Sequence, residues 1–193
     1  MLQKLLKDRR LILASQSPRR SFFLKELNLD FEIRIKEVAE NYPIHLQGKE
    51  ISEYLAKLKA SPFSGTLQAQ EILITADTIV WLEGNALGKP KNKKEAIEML
   101  KSLSGKEHDV ISSIALTTIN NQIIVSDTTQ VIFKKLTEKE IHYYIETFKP
   151  FDKAGSYGIQ EWIGYIGIEK INGSYFNVMG FPVQKFYTAL QTI

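Results

Sequence analysis

The chain has no cysteine among its 193 residues, which removes disulfides, thiolate metal ligands and thiol nucleophiles together. Such a chain suits a reducing compartment, and it is read as cytoplasmic. It also lacks any apolar run near the roughly 20 residues that a bilayer-spanning helix needs. The stretch from Met1 to Leu13 is broken by Lys4, Lys7, Asp8, Arg9 and Arg10, so it has no continuous leader core. An excess of one charge is missing too: 25 Lys and Arg stand against 22 Asp and Glu, a net +3. No long basic run offers a footprint for a nucleic-acid backbone, and neither nucleic acid nor membrane is an expected partner. The cluster Lys89, Lys91, Lys93 and Lys94 is interrupted by Pro90 and Asn92 and reads as solvated. His45, His108 and His142 are scattered without paired ligand spacing, which argues against zinc; His108 reads as packed near the start of its strand.

What is present is the makeup of a compact chain, 44% hydrophobic and 24% charged, long enough to bury a core. Residues 1–193 read as one domain or two merged lobes. Leu11 to Ala14 reads as a strand, followed by a polar loop and a helix bearing Phe22, Phe23, Leu24 and Leu27. Phe31 to Ile35 alternates as a second strand. Ile51, Tyr54, Leu55 and Leu58 mark a helix face that Pro62 should end. Ile72 to Ile74 and Thr78 to Leu82 read as buried strand split by Ala76-Asp77, with a turn at Glu83-Gly84-Asn85. A helix through Ala96 to Leu103 closes near Gly105, and Val110 to Ile119 and Ile123 to Phe133 form a hairpin about Asn120-Asn121. Thr137 and Glu140 spell a capping box for a helix to Phe148. A Gly-rich stretch from Ala154 to Gly180 precedes a last helix through Leu190. This alternation predicts an α/β fold around a mixed sheet.

Three places could carry chemistry. Ser15-Gln16-Ser17-Pro18-Arg19-Arg20 lies where strand gives way to helix, so its hydroxyls, guanidinium groups and free N–H groups could cradle phosphate; the same groups would also cap the helix. Asp77 stands between apolar runs, where an ionised carboxylate calls for a metal, an Arg or a Lys, or else a backbone turn. Leu87-Gly88-Lys89-Pro90 offers a lysine on a stiffened loop. It is no Walker A loop, because the spacing from Gly84 to Gly88 is one short and Pro90 replaces the metal-binding hydroxyl. Glu40 and Lys59 read by default as surface charge.

Six ordered segments together resemble the Maf family of nucleotide pyrophosphatases. They are Leu13 to Arg20, Leu55 to Ala60, Ala76-Asp77-Thr78, Leu87 to Pro90, Asp152 to Gln160, and Gly173-Ser174-Tyr175 on to Pro182. The resemblance implies an elongated mixed β-sheet flanked by helices, two lobes with a central cleft, often a homodimer, and a fold shared with inosine triphosphate pyrophosphatases. It implies hydrolysis of a nucleoside triphosphate to monophosphate and pyrophosphate with magnesium or manganese. Ser15, Arg19, Arg20, Lys59 and Lys89 would meet the phosphates, Glu40 and Asp77 would hold the metal, and Asp77 would serve as general base or metal ligand. Gln160, with Thr78 and Arg19, resembles the branch acting on dTTP and UTP; a second branch, acting on 7-methylated GTP, has an acid at the Gln160 position. The chain departs from the family pattern at Glu161 and Trp162, where Gly normally follows the Gln, and at Phe181, where Leu is usual. The competing expectation is a nucleotide-binding regulator of septum formation without catalysis.

Overall fold

A computed structural model describes residues 6–193; the first five, on which the reading of the N-terminus partly rests, lie outside the described residues. The elements in order are β1 (Arg10–Leu13), α1 (Pro18–Glu26), β2 (Phe31–Ile33), α2 (Lys49–Ala60), a 3₁₀ turn (Ser61–Phe63), β3 (Glu71–Leu82), β4 (Asn85–Leu87), α3 (Lys93–Leu103), β5 (Glu107–Thr117), β6 (Gln122–Phe133), α4 (Glu138–Phe148), a 3₁₀ turn (Ala154–Ser156), α5 (Trp162–Gly167), β7 (Ile168–Asn172), α6 (Tyr175–Val178) and α7 (Val183–Leu190). The seven strands form one mixed sheet in the order β2-β1-β3-β5-β6-β7, with β4 also on β3. β1 is parallel to β2 and β3, and the other pairs are antiparallel.

β3 corrects one expectation. Ala76-Asp77 does not split it: the strand runs unbroken for 12 residues, with Asp77 opposite Ser113 and Thr78 opposite Ser112 of β5. The ladder with β5 satisfies the backbone through the polar interval, so no turn is needed there. Side-chain alternation then sends the strand's residues to two different covers. Ile72, Ile74 and Ala76 join Leu11 and Leu13 beneath Phe23 and Leu24 of α1 and Phe186 and Leu190 of α7. Farther along, Val80 and Leu82 pack with Leu100 and Leu103 of α3 and with Ile141, Tyr144 and Ile145 of α4. The alternate position Ile79 packs with Ile111 against Ile51 and Leu55 of α2.

The local signals explain the helix ends. Pro18 occupies the first turn of α1, but Ser17 makes no side-chain cap; its N–H instead meets Ser15 Oγ at 3.2 Å. Asn92 caps α3 through Glu95 N–H, and Thr137 with Glu140 forms the full capping box of α4. Pro62 falls in the 3₁₀ turn that ends α2. Second-strand pairing stops at Ile33, two residues short of the expected end. Within the Gly-rich stretch the chain forms α5, β7 and α6, none of which the hydrophobic pattern announced.

Candidate active site

The site sits at a gap in the sheet. β1 pairs with β3 only as far as Leu13 opposite Ile74, with Ala14 N–H on Ile74 O, and β4 rejoins the same edge only at Val80. Between these points residues 75–79 present an unpaired strand edge, so side chains from both sheet faces reach one opening. A cavity of about 540 Å³ lies there, and Ser15, Arg19, Arg20, Glu40, Lys59, Asp77, Thr78, Lys89 and Gln160 all contribute to its walls. Every site residue expected from the sequence is thus brought to one place.

Asp77 is 6% exposed. Its Oδ1 accepts from Lys59 Nζ at 2.6 Å, and the same ammonium lies 3.1 Å from Glu40 Oε2. Lys59 is on the last turn of α2, about two turns from the Ile51 contact that seats the helix on the sheet. Burial pushes the Asp77 carboxyl above the ordinary aspartate value, and Lys59 and Arg20 oppose that shift. The buried carboxylate therefore finds a lysine, among the partners the sequence left open.

The two arginines part company. Arg20 donates from NH1 to Ala76 O at 2.9 Å, which caps one carbonyl of the open β3 edge, and to Ser15 Oγ at 3.2 Å. Its Nε meets Gly180 O at 3.3 Å, and burial lowers its pKa despite the nearby Asp77. Arg19 instead reaches Asp152 Oδ2 at 3.2 Å from a half-buried position. Lys89 is exposed and has no hydrogen bond or ion pair among the described residues.

Two residues that received no role from the sequence belong here. Asp152 takes Arg19 on one oxygen and Lys153 Nζ at 2.7 Å on the other. Burial would raise its pKa, but these cations hold it below the ordinary value. The signal was a charged pair directly ahead of a Gly-rich turn. That turn sits tight on β3: a Cβ on Gly155 would lie 2.8 Å from Val80 Cγ2, and its φ is +67°, so glycine is required twice over. Gly155 N–H also binds Gly88 O at 3.0 Å, tying the Lys89 loop to the Asp152 loop.

Gln160, also in the cavity wall, lies in a turn closed by Glu161 N–H on Gly158 O at 3.0 Å, and Tyr165 Oη donates to the Gln160 backbone carbonyl at 2.9 Å. Gln160 Oε1 is buried and accepts no hydrogen bond among the described residues. A buried acceptor without a partner calls for one, and the cavity is where a partner would come from.

The described residues contain no group of three His, Cys, Asp or Glu side chains able to hold a metal by themselves. Glu40 and Asp77, both within reach of one Lys59 ammonium, supply two hard oxygen donors. That set fits a magnesium-like ion that brings its other oxygens from water and phosphate.

Fold and site define a mixed α/β protein whose cavity is lined by cations, by the Glu40 and Asp77 carboxylates and by Gln160, whose side-chain oxygen has no partner among the described residues. The chain belongs to the Maf-like protein family, whose model matches residues 10–193. It is 55% identical to the dTTP/UTP pyrophosphatase of Flavobacterium psychrophilum over 98% of this chain and 97% of that one. It is 52% identical to the protein of the same name in Flavobacterium johnsoniae over the whole of both chains, and 50% identical to that of Bacteroides fragilis over 95% and 96%. Among solved structures, the Staphylococcus aureus Ham1 protein is similar over 65% of this chain and 72% of that one, with a TM-score of 0.49 and 16% identity.

Proposed function

We propose that this chain hydrolyses dTTP and UTP to the monophosphate and pyrophosphate, using the cavity beside the open edge of β3. The names of its relatives support a pyrophosphatase over a non-catalytic regulator. So does the chemistry, because two acids beside a polyphosphate repel it unless a cation or a reaction gives them work. The observation that carries the base assignment is the unpaired Gln160 Oε1 in the cavity wall. Uracil and thymine present carbonyl, N–H, carbonyl along one edge, and a primary amide can accept from that N–H and donate to a carbonyl.

The phosphates meet Arg19, Lys89 and the Ser15 loop, with Lys59 beside the reacting centre. Arg19 exchanges its Asp152 partner for phosphate. Water attacks the α-phosphorus, the bond from that phosphorus to the bridging oxygen breaks, and pyrophosphate leaves carrying the bond pair. Asp77 takes the water's proton at Oδ2, its Oδ1 being held by Lys59. Charge building on the leaving group is met by the same cations that bound the ground state more weakly. Glu40 and Asp77 would hold a divalent metal, which when bound polarises phosphate oxygens and acidifies water.

A panel of dTTP, UTP, CTP, ATP, GTP and 7-methyl-GTP, incubated with magnesium or manganese, tests the reading. Pyrophosphate should appear rather than orthophosphate, dTTP and UTP should lead, and EDTA should stop turnover. Gln160→Glu should lower kcat/KM for dTTP and UTP by an effect on the order of 1–3 kcal/mol, since an ionised carboxylate can only accept. An unchanged nucleotide ranking in that variant would remove Gln160 from base recognition.

A further inference from the structure

Glu161 follows Gln160 directly, and its carboxylate is engaged on both oxygens. One accepts from the Tyr144 hydroxyl of α4, and the other meets Lys153 Nζ at 2.9 Å. The Lys153 and Glu161 side chains are only 10% and 20% exposed, so solvent screens the pair weakly. Tyr144 Oη in turn accepts the Gly158 N–H at 3.0 Å, while the Glu161 N–H binds Gly158 O. Gln160 is therefore the third residue of a four-residue turn whose first and last members converge on one carboxylate. The fit is close: a Cβ on Gly158 would stand 2.9 Å from Glu161 Cδ and 3.1 Å from Lys153 Cε.

Glu161 is not among the residues that wall the cavity. Its two contacts reach neighbours that are, Lys153 directly and Gly158 through Tyr144. A side-chain amide can tell a uracil edge from a cytosine edge only if its own orientation is fixed, because a free amide turns over to suit either. We infer that Glu161 is a positioning residue that sets the base preference of the cavity by holding the turn that presents Gln160. This rests on the reading of the cavity as a dTTP and UTP site.

The test compares kcat and KM for dTTP, UTP and CTP in wild type, Glu161→Ala, Glu161→Gln, Tyr144→Phe and Gly158→Ala. The dTTP-to-CTP ratio of kcat/KM should fall about tenfold in Glu161→Ala, mainly through KM for dTTP, as expected when one directed hydrogen bond is lost. Tyr144→Phe keeps the buried ring and should move the ratio the same way; so should Gly158→Ala, by displacing the carboxylate. Glu161→Gln retains an acceptor for Tyr144 and should recover part of the ratio. A wild-type ratio in both Glu161→Ala and Tyr144→Phe, or an equal fall for all three nucleotides, would overturn the inference. If Glu161→Ala does not fold, the isosteric Tyr144→Phe and the Gly158→Ala variant decide it. A wild type without pyrimidine preference would overturn the underlying reading instead, and it shows before any variant is made.

Discussion

A carboxylate as deeply buried as Asp77 resists ionisation, and only the Lys59 and Arg20 charges draw its pKa back down. Below that raised value the group carries a proton and cannot take one from water. The acid limb of kcat/KM against pH is therefore expected above the ordinary aspartate range, and Asp77→Asn should lower kcat by about 10²–10⁴ while nucleotide binding remains measurable. A titration of rate against pH, with nucleotide binding followed by calorimetry, checks both; near-normal turnover in Asp77→Asn would remove its role. The residue itself was legible as a charge between apolar runs. Its partner was not: Lys59 is 18 positions away, and its meeting with Asp77 depends on α2 lying against one face of β3. Arg19 and Arg20 were indistinguishable in sequence. The helix turns one toward Asp152 and the other toward the carbonyls of Ala76 and Gly180.

At the scale of elements, the site exists because β1 is short and β3 is long. Four residues of β1 against twelve of β3 leave the open edge that Arg20 caps and the cavity uses. The sequence pattern located both strands but divided β3, since a polar pair inside an apolar run mimics a turn when the partner strand is unknown. It passed over β7, whose five residues are half-exposed and follow directly on α5 at the sheet edge. Capping signals were better guides, being local. The Thr137–Glu140 box predicted from spacing is formed in full, and α4 brings Tyr144 to the Gln160 turn. Thr137→Ala should cost about 1 kcal/mol of stability, read as a fall in Tm of about 2–4 °C. Turnover at 25 °C should be unaffected, since Thr137 lies outside the cavity wall. A Tm equal to wild type would show that packing alone fixes the end of α4.

For the whole molecule, a buried histidine gives acid sensitivity to the core itself. His108 is 3% exposed on β5, with Nε2 2.7 Å from Tyr157 Oη and its ring edge-on to Phe133 and Tyr157. Burial lowers its pKa from 6.5 to about 4. In the unfolded chain the ring takes a proton as pH falls through 6.5, whereas the folded state refuses it until about 4. Between those values the unfolded state binds more protons, so stability rises with pH across the window. The contribution is fully present above 6.5 and is lost progressively as pH falls toward 4, amounting to as much as about 3 kcal/mol. Denaturant unfolding of wild type and His108→Gln from pH 7.5 to 4 isolates this effect from the carboxylates, which both proteins share. Gln can still bond to Tyr157 but takes no proton, so the variant should lose less stability than wild type over the interval. Parallel curves would mean that His108 is solvated in solution and that the acid sensitivity of the fold arises elsewhere.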